Sequence, residues 1–347
     1  MLKRTFTLVI SAISLPVCAE QPVYLDSIIN AEVVDRVVPK YPTQLGRKGQ
    51  EGWVQLSYVV SAQGTVENVL VEDSSGQRLF EKAAKEAVEK WTFEPAQLDG
   101  KPVQQCKNGV LFDFSMSKPS KGVTRRFANR VESIQSLIKA GELDAAKVQL
   151  DLLEDKESWN LNEGAVLWMV KAAYQQAKGA AEQELQSLKR ALAYEDRLTD
   201  EQLFVLRARR FQLEVSANLL AAALETFNKL RTNSNHQDVI AQLQPYADNA
   251  AALLASESPI AVEGAVDERA LWSHGLSRNR FTLIDVEGEL VGLEVRCDSQ
   301  HSSYKAIAEL IWDVPQSWGQ CSVYVKGEPN SRFTLVELAP ETKSQKS

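Results

Sequence analysis

The spacing of apolar residues changes period twice along this chain, and that change limits its fold more tightly than any other feature. Between Val33 and Met116 the spacing is that of half-buried strands: Val54, Leu56, Tyr58 and Val60 alternate with Gln55 and Ser57. Gln63-Gly64 supplies a hairpin turn, and Val66 to Glu72 reads as the returning strand. Phe80, Ala83, Ala84, Ala87, Val88 and Trp91 then recur every three or four residues, which predicts a helix capped by Ser74 or Ser75 with its apolar stripe on the sheet. Asp99-Gly100-Lys101-Pro102 is a turn, and Gly109 to Ser115 a last strand carrying Val110, Phe112 and Phe114 on one face.

From about Gly122 to Ser256 the chain is rich in Ala, Leu, Glu, Gln and Lys at helical spacing. It breaks near Gly141, Gly179 and Asn218, each break opening a second helix. Regularly spaced breaks predict an all-α array of helical hairpins over residues 122–257, similar to the tetratricopeptide type. Pro259 to Asp267 reads as a connector. Alternation then returns in Phe281 to Val286, Glu289 to Val295, Cys321 to Val325 and Phe333 to Leu338, which predicts a small all-β domain over residues 268–340. The fold class expected is α+β and multidomain.

Lys3 and Arg4 precede an apolar run ending near Val17, and Val17-Cys18-Ala19 offers small side chains to a signal peptidase. Residues 1–19 are therefore expected to be a signal peptide, with residues 20–32 a short linker and residues 33–117 the first domain. The alternative is that the N-terminal segment is retained as an anchor. In an exported protein Cys106, Cys297 and Cys321 lie where disulfides persist, and Cys297 with Cys321, in one strand-rich segment, is the expected pair. Cys106 is then a free, partly buried thiol.

With 46 Asp plus Glu against 39 Lys plus Arg, the net charge of −7 argues against a nucleic-acid partner. His236, His274 and His301 have no second ligand at metal spacing, and no nucleophile elbow, phosphate loop or dinucleotide fingerprint is present. Neither an enzyme, a metal site nor a small-molecule cofactor is expected. Glu294 and Asp298 near His301 read as neighbours without a role. Trp53 has the opposite parity to Leu56 and Tyr58; it is either exposed as a contact surface or packed on the helical block.

Tyr41-Pro42, Glu51-Gly52 opening the first strand, Gly64 in the hairpin and Ala87 to Pro95 running helix into Trp-x-Phe-x-Pro together resemble the C-terminal domain of the TonB energy-transducer family. The resemblance covers about 80 residues. It implies a short sheet with one helix, placed in the periplasm, gripping the N-terminal box peptide of an outer-membrane transporter with its last strand. The implied peptide-binding residues are Asn108, Gly109, Val110, Leu111, Phe112, Asp113 and Phe114, with Tyr41, Pro42 and Arg47 second. Two features depart from the family: Gly46 stands where transporter-coupled members often carry Gln, and only Pro22 lies between the expected cut and Pro39.

The function expected is thus a non-enzymatic periplasmic protein that binds envelope partners by strand addition, linked to TonB-dependent transport. One alternative is an inner-membrane transducer driven by an ExbB/ExbD-like motor. Another is a structural scaffold using its helical and C-terminal β domains, with the first unit merely docked on the chain's own helices.

Overall fold

The computed structural model describes residues 29–116, 122–154, 160–232 and 234–339. The expected signal peptide lies outside them. The first segment runs β1 (Glu32–Asp35), α1 (Thr43–Arg47), β2 (Gly52–Val60), β3 (Val66–Ser74), α2 (Arg78–Val88), β4 (Thr92–Glu94), β5 (Ala96–Leu98), β6 (Lys101–Val103) and β7 (Gln105–Phe114). Its sheet is antiparallel with order β3-β2-β7, while β1 pairs with β4 and β5 with β6. Val54, Leu56, Tyr58 and Val60 point to one face and pack on Phe80, Ala84 and Val88 of α2 and on Trp91. Phe80 stacks on Phe114 with ring centroids 4.4 Å apart, locking the helix to the end of β7.

Two expectations need correction here. The residue before α2 is Gln77, and no side chain caps that end. Ser74 serves the preceding turn instead, its hydroxyl accepting from the Gly76 N–H and donating to Glu81, because the chain turns there through Gly76 at φ 97°. The last strand starts at Gln105 rather than Gly109, since pairing with β2 continues past a register shift between Tyr58 and Val60.

The helical segment comprises α3 (Arg125–Ala140), α4 (Leu143–Glu154), α5 (Leu161–Lys178), α6 (Ala181–Leu192), α7 (Asp200–Ser216), α8 (Leu220–Arg231) and α9 (Gln237–Ala255). Gly141 and Gly179 end α3 and α5 in left-handed conformation, and Asn218 takes φ 57° after α7. Each break joins the two helices of a pair, giving three consecutive hairpins and a closing helix.

The last segment contains β8 (Ile260–Ala265), β9 (Leu271–Gly275), β10 (Arg280–Glu287), β11 (Leu290–Cys297), β12 (His301–Tyr304), β13 (Ile311–Asp313), β14 (Cys321–Gly327) and β15 (Arg332–Leu338). They form two four-stranded antiparallel sheets, β13-β10-β15-β8 and β12-β11-β14-β9, enclosing Phe281, Leu283, Leu293, Val295, Val323, Val325, Phe333 and Leu335. Cys297 and Cys321 face each other across β11 and β14 and are disulfide-bonded. Pro259 to Asp267 is no connector: Ile260 and Val262 are buried as β8 pairs with β15. The alternation is masked at Gly264, where a Cβ would lie 2.5 Å from the Phe333 ring.

What positions the functional surface is how the first sheet's second face is sealed. Trp53, only 1% exposed, packs on Leu161, Ala165 and Tyr194, meeting the Tyr194 ring edge-on at 5.9 Å. Glu51 accepts from the Met116 N–H with one oxygen and, with the other, from the Leu161 N–H in the first turn of α5. Beside this contact, the outer polar face of β11 and β14 meets the same sheet. The Arg296 guanidinium, buried and 4.8 Å above the Tyr324 ring, donates to Ser57 Oγ at 3.3 Å and to Glu294 at 3.0 Å. Asp73 joins all three segments, paired with Arg190 of α6 at 3.0 Å and with Arg269 of the sandwich at 3.3 Å.

Candidate functional site

In the order β3-β2-β7, β7 is an edge strand, and among the described residues no strand pairs with its outer side. The direction of its main-chain groups follows from β2. The Trp53 N–H donates to Ser75 Oγ and its carbonyl accepts from the Ser75 N–H, so Trp53 turns its main chain toward β3. Alternation then turns Gly52, Val54, Leu56 and Tyr58 toward β7, opposite Phe114, Phe112, Val110 and Asn108. The Asn108 side-chain amide donating to the Tyr58 carbonyl agrees with this. Gly109, Leu111 and Asp113 therefore direct their N–H and C=O groups outward, and among the described residues these groups meet no main-chain partner.

The seven residues singled out in β7 thus divide by role. Val110, Phe112 and Phe114 carry side chains into the α2 core, while Leu111 is 46% exposed on the opposite face. Asp113 lies 3.9 Å from Arg197 in the short turn Glu195–Arg197, and burial raises its carboxyl above the ordinary value against the opposing pull of Arg197. Gly109 would meet only the Leu56 carbonyl, at 3.7 Å, if it had a Cβ. Asn108 ties its side chain back to the Gln105 carbonyl.

The second-rank residues gather at the Phe114 end. Tyr41 is a packing group, edge-on to Phe80 at 5.5 Å and to Phe114 at 6.0 Å, with its hydroxyl donating to the Gln50 carbonyl. Burial first, then Glu51, raises its pKa. Pro42 precedes α1 and accepts from the Leu45 and Gly46 amides, whereas Arg47 is exposed at the end of that helix.

At the other end the edge is closed by a contact that alternation could not reveal. The Cys106 N–H donates to the Asp298 carbonyl at 3.2 Å, and Gln104 donates to the Gln300 side chain at 2.9 Å. Cys106 is the buried free thiol, pushed up to about 12 by burial, with Arg296 lowering and Asp298 raising it. Glu294 and His301 also have a role: His301 bridges Glu294 at 3.4 Å and Asn68 of β3 at 3.3 Å. His274 is bound to Glu337 at 2.8 Å, and His236 stacks on Phe204 at 3.9 Å. Among the described residues no group of three His, Cys, Asp or Glu could hold a metal ion. A cleft of about 310 Å³ between β3, α2 and the sandwich is lined by Lys85, Arg296 and Lys326 against Glu67, Glu89 and Glu294, a balanced set without net charge to select an ion. No helix among the described residues is long and apolar enough to cross a membrane.

Residues 37–115 match the family described as Gram-negative bacterial TonB protein C-terminal. Protein tonB2 of Pseudomonas aeruginosa is 36% identical over 88 residues, which are 25% of this chain and 32% of that protein. Protein TonB of Vibrio cholerae is 36% identical over 83 residues, 24% of this chain and 33% of its own length. The solution NMR structure of the Pseudomonas aeruginosa TonB CTD aligns with 26% identity over 26% of this chain and 91% of that chain, with a TM-score of 0.24. The chain spans about a third of the length of these two curated relatives. The helical hairpins and the β sandwich lie outside the matched residues.

Proposed function

Residues 37–115 form a TonB C-terminal domain, and on that premise we propose that the chain is a non-enzymatic periplasmic protein of the Gram-negative envelope that captures an extended segment of a partner by strand addition at β7. The partner class is the N-terminal box segment of TonB-dependent outer-membrane transporters, which links the protein to TonB-dependent transport. The observation that carries this reading is the outward row of N–H and C=O groups at Gly109, Leu111 and Asp113, unmet by main chain among the described residues. An added strand satisfies such groups with little demand on side-chain identity. The docking of the first unit on the chain's own helices covers Trp53 but, among the described residues, puts no strand on this edge, which favours capture over a purely internal role.

The test uses the full chain and a fluorescein-labelled transporter box peptide followed by anisotropy. Leu111→Pro removes an N–H that faces away from β2, so the ladder survives while the incoming strand loses a donor and meets the proline ring. Loss of that hydrogen bond, leaving the partner's carbonyl unmet, is expected to weaken binding by about 1–3 kcal/mol, or roughly 5- to 150-fold. Unchanged binding by Leu111→Pro, with wild type binding well, removes the mechanism.

A further inference from the structure

Resting on that reading, we propose that the C-terminal sandwich is an end-stop for the captured strand, so that this protein selects a short extended peptide segment with a fixed register. The observation is independent of the open edge. The register shift opposite Tyr58 and Val60 breaks the alternation beyond Asn108, and the Cys106 N–H, which thereby faces away from β2, is already occupied by the chain's own Asp298 carbonyl, while the Gln104–Gln300 side-chain bond clamps the same point.

The stop is built firmly. Asp298 follows Cys297, whose disulfide to Cys321 ties β11 to β14. The Asp298 carboxylate accepts from the Gln320 N–H at 2.8 Å, and Gly319 at φ 83° lies so close that a Cβ there would come within 2.4 Å of that carboxylate. The Cys297 N–H donates to the Gln300 carbonyl at 2.8 Å, closing the turn that delivers the Asp298 carbonyl. A strand laid along β7 therefore pairs with Gly109, Leu111 and Asp113, and its continuation past Lys107 meets the occupied N–H of Cys106. Three alternate residues span five positions, so the segment that fits is about five to seven residues long. Further residues on the Cys106 side add no main-chain bond.

The experiment titrates the full chain with acetylated, amidated, alternating Thr-Val peptides of three, five, seven and nine residues, and reads amide hydrogen exchange by NMR. Affinity should rise about two- to tenfold with each added outward pair and level off between five and seven residues. In the free protein the Cys106 amide should be protected and those of Gly109, Leu111 and Asp113 should exchange rapidly. On binding, only the latter three should become protected. Gln300→Ala should loosen the clamp, speed exchange at Cys106 and let the nine-residue peptide gain over the seven-residue one. If affinity still climbs from seven to nine residues in the wild type while Cys106 loses its bond to Asp298, capture stands and the end-stop is overturned. If no peptide protects Gly109, Leu111 and Asp113, strand capture itself has failed.

Discussion

Replacing Trp53 by alanine tests whether the second face of the first sheet is a structural joint. A tryptophan buried to this degree removes about 200 Å² from water, or ~5 kcal/mol at about 25 cal/mol per Å². Alanine keeps a small part of that, and the cavity between Leu161, Ala165 and Tyr194 adds a cost because Glu51 and the first turn of α5 hold its walls apart. The expected loss is about 4 kcal/mol, whereas Trp53→Phe, which preserves an aromatic edge toward Tyr194, should lose only about 1–2 kcal/mol. The assay is urea unfolding followed in parallel by far-UV circular dichroism and tryptophan fluorescence. With the joint weakened, the helical and sheet signals should no longer coincide, because the two parts then unfold as separate units. A loss below about 1 kcal/mol with superimposable transitions would refute the assignment of Trp53 as the joint.

Three further outcomes follow from the sandwich and its contact with β7. The hydrogen bond from His301, followed by those from Lys326 and Arg296, holds the Glu294 carboxyl below the usual carboxylate range despite its burial. A depressed folded pKa gives stability present above the unfolded value of about 4.3 and lost as pH falls toward the folded one, so Glu294→Gln should flatten the acid limb. It should also cost about 3 kcal/mol at neutral pH by leaving Arg296 buried without its counter-charge; parallel acid limbs for both proteins would contradict this. Converting Cys297 and Cys321 together to serine opens a loop of 24 residues' separation and should lower stability by about 3 kcal/mol, read as a shifted urea midpoint; an unshifted midpoint argues against that contribution. Cys106, with its thiol pushed up to about 12, should resist iodoacetamide at pH 8 until the sandwich opens; rapid stoichiometric labelling of the folded chain would show the contact to be loose.

Much of this architecture was legible because it rests on local repetition. The alternation from Val54 to Tyr58 set both the strand and the face it turns to α2, and the glycines at 141 and 179 marked helix ends through a conformation that other residues adopt reluctantly. β8 was hidden because Gly264 stands where a large residue would have continued the pattern, the space being filled by Phe333 from a distant strand. β9 was hidden in the same way, since the buried inward position His274 is polar and made acceptable by Glu337. For the candidate site, the edge residues could be read from the alternation of Val110, Phe112 and Phe114. Its terminus at Cys106 could not, because the group that occupies it comes from Asp298, almost two hundred residues later in the chain. The parity of Trp53 showed only that it faced away from α2; what it meets there was decided by tertiary packing.

Asp73 carries a practical warning for anyone dissecting this molecule. Its carboxylate is gripped from two sides, by Arg190 and by Arg269, so a cut after the first segment strips both guanidiniums from it and lays Trp53 bare at once. The excised piece would carry an orphaned charge beside a naked indole, and its stickiness in a pull-down would report the wound made by the scissors.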